Sequence, residues 1–315
     1  MCTRVSVIRC ALALSVLVCS ALTVSCASLH HYAARRLGDA LASSGTGFAG
    51  DDDPELISAA APFSLKLMES VLQEDPQHTA LLTAAAASFT EFAYAFVQEE
   101  ADEIEAHDVE GAFARRQRAW GLYRRAREYG LRALDTRHAH FVDGLHRDPA
   151  VAAAQLDLAD RAAVYWTMVA AAAAISVNKD SAESLADLPI VEALAERLTA
   201  LDPDFDYGAL DSFLISYEMG RPDRRNVDSE AQRHLERAVR LSEGHRAAPY
   251  VAFAESVCVR TQNRDEFMAE LGRALAVNPA ERPQWRLENL LMQRRAHWLL
   301  AQVDELFLQE RSSPP

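Results

Sequence analysis

The chain is predicted to be all-α, an array of helix-turn-helix, tetratricopeptide-like repeats forming a curved solenoid. Three observations carry this. Alanine, leucine, glutamate and arginine dominate, while glycine and proline number only 12 each in 315 residues, a helix-forming composition. No stretch combines period-two alternation with enrichment in valine, isoleucine and threonine, so no strand is expected. Several helical segments also share an ending. Ala274-Leu275 is followed by Pro279, Val71-Leu72 by Pro76 and Leu198-Thr199 by Pro203, and Ala238-Val239 and Ala133-Leu134 have the same context with Glu243 and His138 in place of proline. The steps from 198 to 238 and from 238 to 274 lie near the roughly 34-residue period of paired-helix repeats.

The elements follow in order. The run Asp51-Asp52-Asp53-Pro54-Glu55 starts the first helix, Glu55 to Glu74, because acids complement a helix N-terminus and proline suits its first turn. His78 to Ile104 is the next. Ala112 to Thr136 is the third, with Gly130 as a candidate break, and Pro149 to Val177 is read as one long alanine-rich helix. Leu188 to Leu201 closes at Asp202-Pro203. Tyr207 to Met219, Asp228 to Ser242, Ala248 to Gln262, Arg264 to Val277 and Gln284 to about Leu308 complete the set. Thr79 to Val97 and Ala162 to Val177 are apolar enough to resemble membrane spans. Their alanine content favours central helices packed on two sides instead.

The ends set the compartment. Arg4 and Arg9 precede an apolar run from Ala11 to Cys19, and Leu22-Thr23-Val24-Ser25-Cys26 supplies small residues ending in cysteine. Basic, then apolar, then small is the order of a secretory leader. A cysteine at the cut looks like a bacterial lipobox, with Leu22 one position further out than the strict pattern. The expectation is a signal peptide over 1–25, lipidation at Cys26, a tether over 26–50, a helical domain over 51–310 and a tail over 311–315. Loss of Arg4 and Arg9 would take the net charge from −14 to −16, which disfavours nucleic acid as a partner. Cys258 would then be the only other cysteine, leaving no intramolecular disulfide.

Longer strings resemble a known family. They are Phe92-Ala93-Tyr94-Ala95-Phe96-Val97 with the acidic Gln98 to Asp102, Leu122 to Leu134, Leu201 to Ala209, Gln232 to Ala238, Pro249 to Glu255, Glu266-Phe267 and Arg294 to Leu300. Together, over roughly Ser43 to Phe307, they resemble the T component of tripartite ATP-independent periplasmic (TRAP) transporters, a tetratricopeptide-type lipoprotein. The acidic cluster before Gly208 is denser than that pattern suggests. The resemblance implies a homo-oligomeric, trimeric periplasmic scaffold. It would be held to a membrane by its lipid and engage the solute-binding P component, with no catalysis and no cofactor.

Other constellations have ordinary explanations. Asp202, Asp204 and Asp206 alternate as in a calcium loop, but Tyr207 and Phe213 occupy the positions that need glycine and glutamate. His138, His140 and His146 lie near Asp143. A zinc site needs convergence, which the two-residue spacing of His138 and His140 opposes on a helix. No metal site is expected. Serine-hydrolase, phosphate-loop and zinc-protease motifs are absent, so no enzyme is expected. Phe89, Phe92 and Phe96 share one helix face, the pattern of core. Glu91 and Tyr94 fall off that stripe and, with Tyr165 and Trp166, are the candidate partner or ligand groove, since curved arrays bind on their concave face. Two function classes remain: a transporter accessory subunit that could guide a hydrophobic ligand, and a general envelope scaffold in outer-membrane or cell-wall assembly.

Overall fold

A computed structural model describes residues 32–43, 48–220 and 227–308. The leader over 1–25, Cys26, His30-His31, Ser44 to Gly47 and the tail over 311–315 lie outside the described residues. Within them every regular element is a helix.

The first elements are α1 (32–43), α2 (Pro54–Glu74) and α3 (Thr79–Ala93). Helix α3 runs through a π-turn (Tyr94–Gln98) into α4 (Glu99–Ile104). Then come α5 (Val109–Arg137), α6 (Phe141–Arg147), α7 (Pro149–Ala153), α8 (Arg161–Val177), α9 (Ala182–Leu185) and α10 (Leu188–Leu201). The second half holds α11 (Phe205–Met219), α12 (Val227–Leu241) and α13 (Ala248–Phe253). A second π-turn (Ala254–Cys258) leads into α14 (Val259–Thr261), followed by α15 (Arg264–Ala276), α16 (Arg286–Ala301) and α17 (Val303–Leu306).

The recurring endings work as expected from their composition. Asp75 N–H donates to Val71, His138 to Leu134, Asp202 to Leu198 and Val277 to Ala274, so each shared pair closes its helix. Ala133, Ala238 and Ala274 are fully buried, small where a neighbouring helix approaches.

Two expectations are corrected. Gly130 does not break α5, which is continuous. A Cβ there would lie 2.1 Å from Thr167 Oγ1 and 3.2 Å from its Cα, so the missing side chain lets α5 and α8 touch. The segment from Pro149 to Val177 is not one helix. Asp157 accepts from Ala159 N–H, and Asp160 accepts from Asp157 N–H; this capping box begins a new helix there.

Charge is arranged along the chain. Residues 50–108 contain fourteen acids and a single cation, Lys66, whereas α5 carries eight arginines. Helix α5 is the counter-ion for its neighbours: Arg115 meets Glu100 at 2.7 Å, Arg116 meets Glu105 at 2.6 Å and Arg127 meets Asp187 at 2.6 Å. At its C-terminal end Arg137 reaches the buried Asp160 at 2.5 Å.

The apolar side chains form two clusters. One is built by α2 to α11 around Phe89, Tyr123, Leu134 and Met168. The other is built by α11 to α17 around Ile215, Phe267, Leu271 and Leu299. The two apolar helices flagged above belong to the first cluster. Both are long and apolar enough to cross a membrane, and roughly half of each is buried inside the fold (56% and 44%). Among the described residues the clusters adjoin along α11, which gives Leu210 and Leu214 to the first and Ile215 and Met219 to the second, and at the first π-turn, where Ala95 belongs to the second core and Tyr94 and Phe96 pack on both.

Candidate functional site

The seam between the two cores is polar, and helix α16 builds one wall of it. Its buried stripe is Leu291, Met292, Arg295, Ala296 and Leu299, so a guanidinium stands in a core position. Arg295, 5% exposed, bonds Glu255 in the second π-turn and Asp102 in α4 (3.0 Å). Its guanidinium lies 4.4 Å from the centroid of the Trp298 ring. Arg294 donates to the Ala95 carbonyl at 2.7 Å and to Glu99 at 3.1 Å. Arg294 therefore reaches a main-chain carbonyl inside the first π-turn as well as a carboxylate at its end. Two neighbouring residues of one helix thus tie both π-turns together.

A second group of charges lies at the start of α16. Arg246, 8% exposed, donates to Glu288 at 2.7 Å and to both the backbone oxygen (2.7 Å) and the carboxylate (3.1 Å) of Asp206. Its guanidinium also covers Trp285 at 5.5 Å. Those bonds hold an unusual turn. Asp206, Tyr207 and Gly208 all have positive φ (42°, 53° and 94°) before α11 becomes regular. Such a conformation costs on the order of 1–3 kcal/mol per non-glycine residue, so it persists only where surroundings impose it. Here Arg246 holds Asp206, and Tyr207 meets Trp285 edge-on at 5.4 Å. Gly208 is required, because a Cβ would sit 2.8 Å from the Ala238 Cα.

The candidate groove residues fall along this seam, at two levels. Glu91 and Tyr165 come together, within electrostatic reach of each other and of Asp206 and Glu288. Glu91 keeps access to water, yet burial, then Glu288 and Asp206, push its carboxyl up to about 7. Tyr165 packs edge-on against Trp166 at 5.0 Å and against Phe205 at 4.9 Å, and its hydroxyl donates to the Ala209 carbonyl at 3.4 Å. Tyr94 lies one helical turn from Glu91, at the other level, with Glu99, Glu255, Arg295 and Tyr123 around it. Burial, then Glu99 and Glu255, raise its phenol. Tyr94, Tyr165 and Trp166 are all half-buried. Phe89 and Phe92 are core, as their spacing predicts, and Phe96 is half-buried.

The other constellations resolve into structure. Asp202, Asp204 and Asp206 each meet a different arginine, Arg161 at 3.5 Å, Arg237 at 2.5 Å and Arg246 at 3.1 Å. His138 bonds Asp160 at 2.8 Å, while His140 is exposed with φ 63°. Among the described residues no group of three or more histidine, cysteine or acidic side chains could hold a metal. Two surface cavities, of about 550 and 530 Å³, lie beside α5 and beside the second π-turn. In the first, Arg125 and Arg127 are engaged by Glu69 and Asp187, so its arginines are part of the internal ion pairing.

Sequence reasoning assigned no role to Arg246, Glu288, Asn289, Arg294 or Arg295. Asn289 is fully buried, accepts from Ala247 N–H and donates to the His245 carbonyl, fixing the loop that carries Arg246. A signal existed for Arg295: it sits three and four residues after Met292 and Leu291, on a core-facing stripe. Arg246 had none, since its partners come from distant segments.

Four of the family-like strings, around Phe92, Leu201, Pro249 and Arg294, therefore converge on one seam of an all-helical protein. This defines a helical protein organised around a buried polar junction between two cores. The chain belongs to the TRAP transporter T-component family, whose sequence profile matches residues 50–307. It is also similar to an uncharacterized protein of Treponema pallidum (strain Nichols), 27% identical over 270 residues that span 83% of this chain and 82% of the other. The family is an accessory transporter subunit and not a known enzyme.

Proposed function

We propose that this chain is the lipid-anchored periplasmic T subunit of a TRAP system, a non-enzymatic scaffold that binds the solute-binding P component. The family match over 50–307 supports the system. The observation that carries the binding face is the placement of Tyr94, Tyr165 and Trp166, half-buried rather than core, along the seam that also presents the exposed Glu91. Tyrosine and tryptophan at the rim of a concave helical surface are efficient interface anchors, with large rigid contact area and a polar tip. An anchor at Cys26 would raise the local concentration of both proteins at one membrane, so a modest affinity suffices. A hydrophobic ligand released by the partner would meet the same aromatic rim. The oligomer implied by the family, a trimer, would repeat this face around its axis.

The mature protein, titrated by calorimetry against a TRAP-type solute-binding P component from the same organism, should form a complex. Tyr94→Ala with Trp166→Ala should weaken it about 100-fold, since two interface anchors are each worth roughly 1–2 kcal/mol or more. No complex at high micromolar concentration would instead favour the envelope-scaffold reading. A complex that ignores the double variant would place the interface elsewhere.

Lipidation has its own test. Mass analysis of the mature N-terminus should show a diacylglyceryl group on Cys26 and no residue before it. An unmodified Cys26 or a retained Met1 refutes the anchor.

A further inference from the structure

We propose that the seam between the two cores is a hinge, closed when Glu99 is protonated and loosened when it ionises. The inference concerns the free protein and is independent of what the protein binds.

Geometry supplies the first support. The two cores share helix α11; apart from it few apolar side chains pack on both, Tyr94 and Phe96 foremost, and the ties that α16 sends across the seam are polar. The ties end in two π-turns, where the helical ladder is already interrupted. A junction of this kind opens more readily than a continuous core.

The charge count gives the second. Glu99 is 1% exposed, and its Oε2 accepts from Arg294 while its Oε1 has no partner. Arg295 faces it from the same helix with Nη1 also unpaired. The remaining groups around it are Glu255 from the second π-turn, Tyr94 on its own helix, and Tyr123 from α5, whose hydroxyl donates to Gln98 at 2.6 Å. Asp102 lies one turn on, shared between Arg295 and Arg116, and Arg116 brings its own acid, Glu105. With Glu99 neutral, Arg294 and Arg295 balance Asp102 and Glu255. Ionising Glu99 adds a third acid with one bare, buried oxygen.

The direction of titration agrees. Burial, opposed by Arg294 and Arg295, leaves the Glu99 carboxyl raised to about 7 from an ordinary 4.5. A carboxyl raised in the folded state favours the protonated form there. Its contribution is full below the unfolded value and is lost as pH climbs through about 7. Opening would present Tyr94 and Phe96, which now cover both cores.

Hydrogen exchange of the full chain between pH 5.5 and 8, corrected for intrinsic rates, tests the hinge. Protection of 94–102 and 254–258 should fall roughly tenfold or more relative to the middle of α5, as expected for a carboxyl raised from 4.5 to about 7. Glu99→Gln should keep these segments protected at every pH. Protection that does not change with pH, or that falls equally in the variant, overturns the proposal. A carbon-13 titration of glutamate carboxyls in the unaltered protein provides a second readout. Glu99, assigned by the signal missing from Glu99→Gln and so told apart from Glu91, supports the hinge if it titrates near 7 and overturns it if it titrates below 5.

Discussion

Gly130→Val should destabilise the protein by about 3 kcal/mol or more, near the upper end of overpacking effects. The position is helical with ordinary dihedrals, so the cost is steric and not conformational. A Cβ already meets Thr167 Oγ1 at 2.1 Å, Cβ at 3.0 Å and Cα at 3.2 Å, and the last of these is backbone. Rotating Thr167 removes only the first contact, because its hydroxyl is also held by the Ala163 carbonyl at 2.6 Å. Valine adds two methyl groups that must go somewhere, so α5 and α8 must separate. That opens the first core around Tyr123, Leu134 and Met168, all fully buried. Urea unfolding followed by far-ultraviolet circular dichroism measures the shift in midpoint. Gly130→Ala with Thr167→Ala should recover part of the loss. An unchanged midpoint for Gly130→Val would mean that α5 and α8 do not touch at this point.

Arg295→Met should cost about 2–3 kcal/mol, below the range for a fully buried ion pair because the Glu255 carboxylate left behind is half-buried and partly screened by water. The methionine fills much of the volume, so packing loss is small. What remains is Glu255 without its guanidinium, beside Glu99, whose Oε1 already lacks a partner. Asp102 suffers less, because Arg116 still reaches it at 3.0 Å. The matched change Arg295→Met with Glu255→Met removes both charges, and it should restore most of the stability. Thermal unfolding of the two single variants and the double variant gives the coupling directly. Additive losses would show that Arg295 and Glu255 do not couple, despite the burial of the guanidinium.

The helices themselves were legible because their causes are local. Capping aspartates, the prolines that follow three of the shared pairs and the phenylalanine stripe act within a few residues. The structure has Asp53 capping α2, α5 closing at Leu134 and Phe89 in the core for those reasons. Errors arose where a local signal had two meanings. Gly130 could interrupt a helix or admit a neighbour, and only the position of Thr167 decides between them. Alanine-rich sequence continued across residues 154–160, but Asp157 and Asp160 capped a new helix there.

The candidate site was half legible. Glu91 and Tyr94 were separable from the core stripe by helical periodicity alone, since position on a turn is a local property. Their surroundings were not. Glu91 acquires its raised carboxyl from Asp206 and Glu288, more than a hundred residues away, on top of its burial. Arg294 and Arg295 reach residues almost two hundred positions earlier. Sequence by itself determined which segments become helices, which face each helix buries and to which family the chain belongs. The tertiary structure alone decided that α16 returns to the first half and sets two arginines into a polar seam. The reason is one of range: hydrogen bonds within a helix span four residues, whereas desolvation and ion pairing depend on what the whole fold brings within a few ångströms.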